Sequence, residues 1–232
     1  MRDSSLMPFL RHLPNILTCL NLLSGCVGII FVWDGPATGA AWFVCLACVF
    51  DFFDGFAAKA LKVNSPIGKE LDSLADMVSF GVLPALAMFR MMDAISSSSL
   101  LPYFAFSLAV FSALRLAKFN VDERQKDSFI GLPTPANALF ITSLVFLRSP
   151  WDVVISQDIF LVAITAVFSF LLVAPLELFA LKFSTYIWAD NKVRFLFLGI
   201  SAILLGIWQM AVLPFVILFY IAVSLLKLWA RF

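Results

Sequence analysis

Apolar runs of bilayer length recur along the chain, separated by short polar segments rich in Gly, Pro, Ser and Asn. About 20 mainly apolar residues suffice to span a bilayer as a helix, so each run predicts one spanning helix. The breaks at 34–36, 64–66, 96–99, 131–135 and 189–191 have turn or loop compositions. We therefore predict eight helices, at about 13–33, 38–62, 68–92, 99–120, 134–148, 158–181, 194–209 and 211–228, the last two forming a tight hairpin around Pro214.

Composition supports this interpretation. The chain is 62% hydrophobic with a mean hydropathy of +0.99, and only 13% of its residues are charged, whereas a soluble domain is about 45–50% apolar. The fold class is thus an all-α integral membrane protein, a polytopic helical bundle. Its 232 residues suit a single membrane domain over 1–232. No nucleic-acid partner is expected, and a homodimer is compatible with this composition.

The positive charges predict the orientation in the membrane. With the helices above, all but Arg90 and Arg148 of the 16 Lys and Arg residues fall on one side. Lys and Arg accumulate in cytoplasmic loops. We expect insertion in the inner, cytoplasmic membrane, with both termini and the loops at 62–68, 120–133 and 182–194 facing the cytoplasm.

Four aspartates interrupt the apolar pattern within residues 51–76: Asp51, Asp54, Asp72 and Asp76. A charged side chain at membrane depth costs about 2.5–3.5 kcal/mol on insertion scales, so a cluster of them marks a functional site. Carboxylates gathered together need a compensating cation, and oxygen ligands suit hard divalent ions. The sequence therefore predicts a site for Mg²⁺ or Mn²⁺ near the cytoplasmic leaflet.

The spacing of the acids predicts that they meet. Asp51 and Asp54 lie three residues apart on the second predicted helix, while Asp72 and Asp76 lie four apart on the third. A short turn joins these helices, so they must be antiparallel neighbours whose acidic faces can share one cavity. An ion or proton pathway through a transporter would instead spread carboxylates over many helices and depths.

Small residues flank the acids on the same faces. Gly55, Ala58 and Gly68 remove bulk, so a flat group could approach the helix backbone there. Lys59 lies one turn cytoplasmic of the acids, where a phosphate could bind. Acidic helix ends paired with neighbouring lysines would explain one or two of the aspartates, but not these small residues.

The run from Asp51 to Asp76 resembles the signature of the CDP-alcohol phosphatidyltransferases, D-x2-D-G-x2-A-R-x8-G-x3-D-x3-D. Every fixed position matches except Lys59, where the family usually has Arg. Arg binds phosphate with two parallel hydrogen bonds, whereas Lys offers a point charge. The resemblance covers about residues 12–140 and includes a Pro14-Asn15 pair like the family's PN motif.

The resemblance implies a reaction and a set of site residues. Members of the family transfer a phosphatidyl group from a CDP-linked lipid to an alcohol and release CMP. The resemblance implies that the metal is bound by Asp51, Asp54, Asp72 and Asp76, and that Asp76 is also the catalytic base. It implies that the CDP-lipid is bound by Asn15, Gly55, Ala58, Lys59 and Gly68.

Neighbouring residues resemble the members that use L-serine as the acceptor and CDP-diacylglycerol as the donor. The run 68–85 is close to their pattern, while glycerophosphate-transferring relatives usually have Pro where this chain has Ser73 and Arg where it has Asn21. The serine carboxylate needs a cation, for which Arg115 and Lys118 are the candidates. Another alcohol, such as glycerol 3-phosphate or inositol phosphate, remains the alternative acceptor, and a metal or solute transporter the alternative class.

Overall fold

The protein is nearly all helical. The structure, a computed structural model, describes residues 10–63, 65–122, 129–178 and 188–229. Its α-helices are α1 (Leu13–Asp34), α2 (Thr38–Leu61), α3 (Pro66–Asp76), α4 (Leu83–Asp93), α5 (Ser107–Val121), α6 (Thr134–Ser143), α7 (Trp151–Ile155), α8 (Asp158–Val173), α9 (Trp188–Trp208) and α10 (Leu213–Trp229). A π-helix, Met77–Val82, joins α3 to α4, and 3₁₀ turns occur at Leu101–Phe106, Leu144–Phe146 and Gln209–Val212.

By length and composition, five helical stretches of the described residues could cross a membrane: Leu13–Asp34, Thr38–Leu61, Pro66–Asp93, Leu101–Val121 and Gly199–Leu226. The last of these stretches includes the 3₁₀ turn Gln209–Val212 and is therefore two helices joined by a turn. The chain is therefore a multi-pass membrane protein. The predicted count of eight spans is not confirmed. The apolar helices Thr134–Phe146 and Asp158–Val173 have fewer than 18 residues, or at most about 26 Å at 1.5 Å per residue, against a hydrocarbon core of about 30 Å.

Two predicted boundaries are wrong. The helix expected over 158–181 ends at Val173, and Ala174 is extended, because Pro175 disfavours helical geometry in the residue before it. The break expected at 189–191 lies inside α9, which begins at Trp188. Polar and acidic residues are favourable in the first turn of a helix, so this polar segment starts the helix instead of interrupting it.

The predicted hairpin near the C-terminus is confirmed. The rings of Phe197 and Phe219 stack with their centroids 5.8 Å apart, although one continuous helix would hold them about 33 Å apart. The chain turns at the 3₁₀ segment, where Gln209 has a φ of +52°, and Pro214 follows in the first turn of α10.

A two-residue antiparallel strand pair, β1 (Phe129–Ile130) with β2 (Glu177–Leu178), holds the segment before α6 against the segment after α8. Gly131 extends this contact by donating its N–H to the Leu176 carbonyl at 2.9 Å. Its φ of +83° belongs to the left-handed region, and a Cβ there would collide with the Leu172 carbonyl oxygen. Glycine is therefore required at this crossing.

Helices α1, α2 and α3 form the part of the bundle that matters for function, and α1 lies against the other two and against the π-helix. Ser65 caps α3 by accepting a hydrogen bond from the Gly68 N–H at 3.3 Å, and Pro66 follows at the first helical position. The predicted turn at 64–66 thus fits the start of α3.

Two apolar cores flank this region. The smaller core fills the loop end of the α1–α2 hairpin and includes Val32, Ala40, Val44, Ala47, Phe80 and Leu83. The larger core joins α4 to α6, α8 and the C-terminal hairpin, around Met88, Leu108, Leu132, Phe140, Ile141, Leu161 and Phe168. The predicted aspartates lie at the opposite, open end of the α1–α2 hairpin.

Candidate active site

Three of the predicted aspartates converge where α2 faces α3. Carboxylate oxygens of Asp51, Asp72 and Asp76 all lie within 4.8 Å of one another. Asp76 is the last residue of α3, at the start of the π-helix, and is almost fully buried. π-Helical turns often occur at functional sites. The carboxylates of α2 and α3 thus come together, as their spacing in the sequence predicts.

Asp54 lies beside this group and is held differently. The Thr18 hydroxyl is 2.7 Å from Asp54 Oδ2, so α1 contributes a donor to this carboxylate. Asp54 and Asp72 both line the adjacent cavity. Asp72 therefore belongs to both the three-carboxylate group and the cavity wall, and links the two.

The donor set fits a hard divalent cation. Three carboxylates so close together repel one another unless positive charge lies between them. Asp72 Oδ1 is buried and has no hydrogen-bond partner among the described residues. Oxygen ligands from carboxylates are those that Mg²⁺ and Mn²⁺ prefer. The arrangement satisfies the chemistry predicted from the sequence without distinguishing between the two ions.

A cavity of about 180 Å³ opens next to the carboxylates. It is lined by Pro14, Asn15, Thr18, Asp54, Gly55, Ala58, Val63, Ser65, Gly68, Lys69 and Asp72. A Cβ at Gly55 would have no neighbour within 4 Å, whereas one at Gly68 would lie 3.0 Å from Asn15 Oδ1. Because Gly55 has no side chain, the space in front of it is open. Because Gly68 has none, the Asn15 side chain can lie close to the α3 backbone.

The residues predicted for CDP-lipid binding are mostly on this wall. Asn15, Gly55, Ala58 and Gly68 line the cavity, but Lys59 is exposed and is not among the residues that line it. Lys69 lines it instead, and its Nζ donates to the Asn120 carbonyl oxygen at 2.9 Å. The sequence analysis assigned no role in CDP-lipid binding to Lys69, although it directly follows Gly68.

Arg115 is buried on the other side of the acids. Its Nη1 donates to Thr134 Oγ1 at 3.0 Å, and its guanidinium carbon lies 5.5 Å from the Phe119 ring centroid. It is close enough to Asp51 and Asp76 to interact with both electrostatically. Arg115 is therefore a cation of the site interior and not a headgroup anchor.

A second cavity, of about 360 Å³, reaches Arg115 from the end of α5. Its wall consists of Arg115, Lys118, Val121, Asp122, Ile130, Leu172, Val173 and Pro175. Lys118 itself is exposed. The two cations predicted for acceptor binding thus share one cavity, with Arg115 at its boundary with the acids.

Two polar residues of α1 belong to the site but had no predicted role there. Thr18 bonds Asp54, and Asn21 donates from Nδ2 to Asp76 Oδ1 at 3.1 Å. Both are buried. The signal was in the sequence: polar and small residues recur at helical spacing on one face of an otherwise apolar helix. Buried members of that stripe are Pro14, Thr18, Asn21, Ser24, Gly25 and Gly28.

Ser73 and Asn120 connect α3 to the end of α5. Asn120 Nδ2 donates to Ser73 Oγ at 2.9 Å, and the Ser73 hydroxyl donates to the Lys69 carbonyl at 3.3 Å. Together with the Lys69–Asn120 bond, these contacts fix α5, which carries Arg115, relative to α3. Proline at position 73 could not make them.

Comparison with known proteins gives a consistent result. Residues 11–171 match the family model described as CDP-alcohol phosphatidyltransferase. A CDP-diacylglycerol--serine O-phosphatidyltransferase of Bacillus subtilis is 31% identical over 145 residues, which cover 61% of this chain and 79% of that protein.

Proteins of other organisms give matches of the same kind. A protein of the same name from Helicobacter pylori strain J99 is 33% identical over 148 residues, 60% of this chain and 59% of its own length. An archaetidylserine synthase of Methanothermobacter thermautotrophicus is 33% identical over 146 residues, covering 62% of this chain and 61% of that protein. The chain thus spans less than two thirds of these two relatives.

Proposed function

Because the chain belongs to the CDP-alcohol phosphatidyltransferase family, we propose that it transfers a phosphatidyl group from CDP-diacylglycerol to L-serine, giving phosphatidylserine and CMP. The observation that carries the proposal is the group of Asp51, Asp72 and Asp76 on facing helices beside a cavity with glycine in its wall. A cluster of carboxylates in an apolar bundle is costly. A reaction that cleaves a charged diphosphate through a bound cation explains why it is present.

The donor would bind in the 180 Å³ cavity. Gly55 and Ala58 let the cytidine and diphosphate lie close to α2, and Asn15 supplies an amide opposite them. Lys69 lies on the same wall, so we add it to Lys59 as a candidate partner of the diphosphate. Gly55 supports this assignment most directly. A side chain at this position would project into the open space that the donor is proposed to occupy.

Members of this family depend on a divalent metal ion. Here Asp51, Asp54, Asp72 and Asp76 would hold Mg²⁺ or Mn²⁺. When bound, such an ion neutralises charge on the diphosphate and on the departing CMP. The buried, unpartnered Asp72 Oδ1 supports this assignment.

Asp76 would serve as the catalytic base. The serine hydroxyl oxygen attacks the phosphorus that carries diacylglycerol, the bond from that phosphorus to the CMP oxygen breaks, and the hydroxyl proton passes to Asp76. A base must lie within hydrogen-bond reach of the proton that it removes. Asp76 is suited to this because the hydrogen bond from Asn21 fixes one carboxylate oxygen and leaves the other available.

The acceptor would enter through the second cavity. The serine carboxylate would pair with Arg115, whose Nε is buried without a hydrogen-bond partner in the described structure. Lys118 at the cavity wall would attract the anionic group. The names of the relatives support serine as acceptor, and the archaeal relative, an archaetidylserine synthase, keeps serine in its name.

Catalysis would take place at the cytoplasmic side of the inner membrane, where serine is available. The distribution of Lys and Arg supports this orientation. Reporter fusions at both termini test it, and we expect a cytoplasmic signal from each. A periplasmic signal from either terminus would contradict it.

The decisive experiment is a purified enzyme assay. The protein in detergent or nanodiscs is given CDP-diacylglycerol, Mg²⁺ or Mn²⁺, and one alcohol at a time: L-serine, glycerol 3-phosphate, inositol phosphate or ethanolamine. We expect CMP release and phosphatidylserine with serine, and none with chelator present. If glycerol 3-phosphate is the only alcohol that gives CMP release, it and not serine is the acceptor. If no alcohol gives CMP release, the proposed reaction is wrong.

A further inference from the structure

Asn21 is completely buried in the middle of α1, where it contacts the residue proposed as base. Its Nδ2 donates to Asp76 Oδ1 at 3.1 Å. Its backbone carbonyl accepts a hydrogen bond from Ser79 Oγ at 2.9 Å. Asn21 is therefore bonded through its side chain to the last residue of α3 and through its backbone carbonyl to Ser79 within the π-helix, and it couples α1 to the geometry of Asp76.

The close approach of α1 to the π-helix makes this coupling rigid. A Cβ added at Gly25 would lie 2.9 Å from Ser79 Cα, so only glycine permits the backbones to come so near. Ser79 is itself fully buried. The register between Asn21 and Asp76 is therefore fixed by packing as well as by hydrogen bonds.

The second polar atom of the Asn21 amide is unused. Asn21 Oδ1 is buried and has no hydrogen-bond partner among the residues that the structure describes. Leaving such an acceptor unpaired is unfavourable. Rotating the amide would not help, because it would place Oδ1 against the Asp76 carboxylate. The amide that bonds the proposed base thus keeps one buried, unpaired acceptor.

We propose that Asn21 orients Asp76 through Nδ2 and accepts a hydrogen bond from the ammonium group of the incoming amino alcohol through Oδ1. This inference rests on the proposed function. In serine, the hydroxyl and ammonium groups are on neighbouring carbons, so a hydroxyl aligned with Asp76 carries the ammonium to the adjacent Asn21 oxygen. The carboxylate is then left for Arg115. Asn21 is a specificity residue for the acceptor and a positioning residue for the base.

The experiment removes the ammonium from the substrate and its acceptor from the protein. L-Serine is compared with 3-hydroxypropionate, which keeps the hydroxyl and carboxylate but lacks the ammonium. We expect wild-type kcat/KM to favour serine by roughly 10- to 100-fold, as for a hydrogen bond to a charged group. In Asn21→Leu this preference should fall to within about threefold, because neither substrate then finds the acceptor.

Asn21→Asp separates the two roles. It keeps an oxygen for the ammonium but replaces the donor by a carboxylate that repels Asp76. We expect the preference for serine to persist while kcat falls by roughly 10- to 100-fold, as when a group that orients a ligand is lost. Ser24→Ala is the matched control, since Ser24 is a buried polar residue of the same helix that bonds the Leu20 carbonyl. It should keep wild-type kinetics.

A binding measurement gives a readout independent of turnover. Mn²⁺ affinity, followed by electron paramagnetic resonance of the free ion, should fall by roughly 10- to 100-fold in Asn21→Leu, because Asp76 loses its orienting donor. Unchanged Mn²⁺ affinity would overturn the positioning role. A serine preference that survives in Asn21→Leu would overturn the ammonium role.

Failure of the inference and failure of the proposed function have different signatures. If wild-type protein forms phosphatidylserine but Asn21→Leu keeps the full preference for serine, the inference alone fails. If wild-type protein releases CMP only with glycerol 3-phosphate, the serine proposal fails and the ammonium role with it. The Mn²⁺ measurement still decides the positioning role in that case.

Discussion

The interior between α1, α2 and α3 and the larger core differ in what they bury. The first contains Thr18, Asn21, Asp54 and Asp76. The second is filled by residues such as Phe140, whose ring stacks on Phe168 with centroids 3.8 Å apart. Among the described residues, the buried acids lie only at the open end of the α1–α2 hairpin. Buried polar side chains near the larger core include Thr142, Thr165 and Ser224, hydroxyls that donate to a carbonyl of their own helix. Stability and chemistry are thus assigned to separate regions of the chain.

This difference indicates that the acidic region lowers the stability of the fold and that packing in other regions compensates for the loss. Buried like charges destabilise the protein unless a cation or substrate is bound. The larger core and the close glycine contact of α1 with the π-helix hold that region in place. Substitutions should therefore have opposite consequences in the two regions: loss of activity without loss of stability in one, and the reverse in the other.

The largest expected effect is that of Asp72→Asn, which removes one charge and one ligand with little change in volume. We expect at least about a 100-fold loss of phosphatidyl transfer, since a bound metal contributes several kcal/mol to the transition state. The melting temperature measured without metal should not fall, because the substitution relieves repulsion between the carboxylates.

Asp93→Asn is the control for this prediction, the same substitution at an exposed acid at the end of α4. It should leave both activity and unfolding unchanged. Full activity of Asp72→Asn in a metal-dependent assay would remove the basis for the metal site.

The converse change is Phe140→Ala in the larger core. Truncating a buried, stacked phenylalanine should cost about 3–5 kcal/mol of unfolding free energy, measured by denaturant titration in detergent. Activity per folded molecule should stay near wild type. Phe170→Ala, at an exposed position of α8, should change neither quantity. A large loss of kcat in folded Phe140→Ala would show that the two regions are not separable.

The position of the four aspartates in the fold could be predicted from the sequence because it depends on their local spacing. Asp51 and Asp72 lie close together because a short turn keeps the end of α2 near the start of α3, and helical periodicity sets the faces that carry the acids. Thr18 and Asn21 lie on α1, far away in sequence, and their contacts with Asp54 and Asp76 depend on how α1 packs. No local rule gives that packing, although the polar stripe on α1 marks the face.

The C-terminal half was less predictable. Hydropathy gives apolar runs, but Pro175 ends α8 early and a strand pair follows, which requires a partner at Phe129–Ile130 far along the chain. The number of spanning helices depends on such interruptions, so the count of eight remains a prediction. The placement of Lys69 over Lys59 at the cavity likewise depends on the geometry of the turn between α2 and α3.

A smaller effect is expected at the boundary between the acids and the second cavity. Arg115→Ala should raise the KM for serine by roughly 10- to 100-fold, since a charge-assisted pair is lost, while the KM for CDP-diacylglycerol changes little. Ethanolamine, which lacks the carboxylate, should be a poor acceptor for wild type and should be affected little by the change. Arg148→Ala, at an exposed arginine, is the control. If the KM values for serine and for CDP-diacylglycerol rise together, Arg115 has a structural role and does not bind the serine carboxylate.

The smallest effects should come from the two lysines near the donor cavity, which test where the acidic region ends. Lys69 lines the cavity, so Lys69→Ala should raise the KM for CDP-diacylglycerol by roughly two- to fivefold, as expected for an exposed charge pair. Lys59 is exposed at the last turn of α2, so Lys59→Ala should have less effect, and Lys59→Arg should keep activity. Steady-state kinetics at saturating serine measure both. A larger effect at Lys59 would mean that the diphosphate extends past the cavity wall toward the end of α2, as the family signature implies, and that Lys69 serves mainly to hold Asn120.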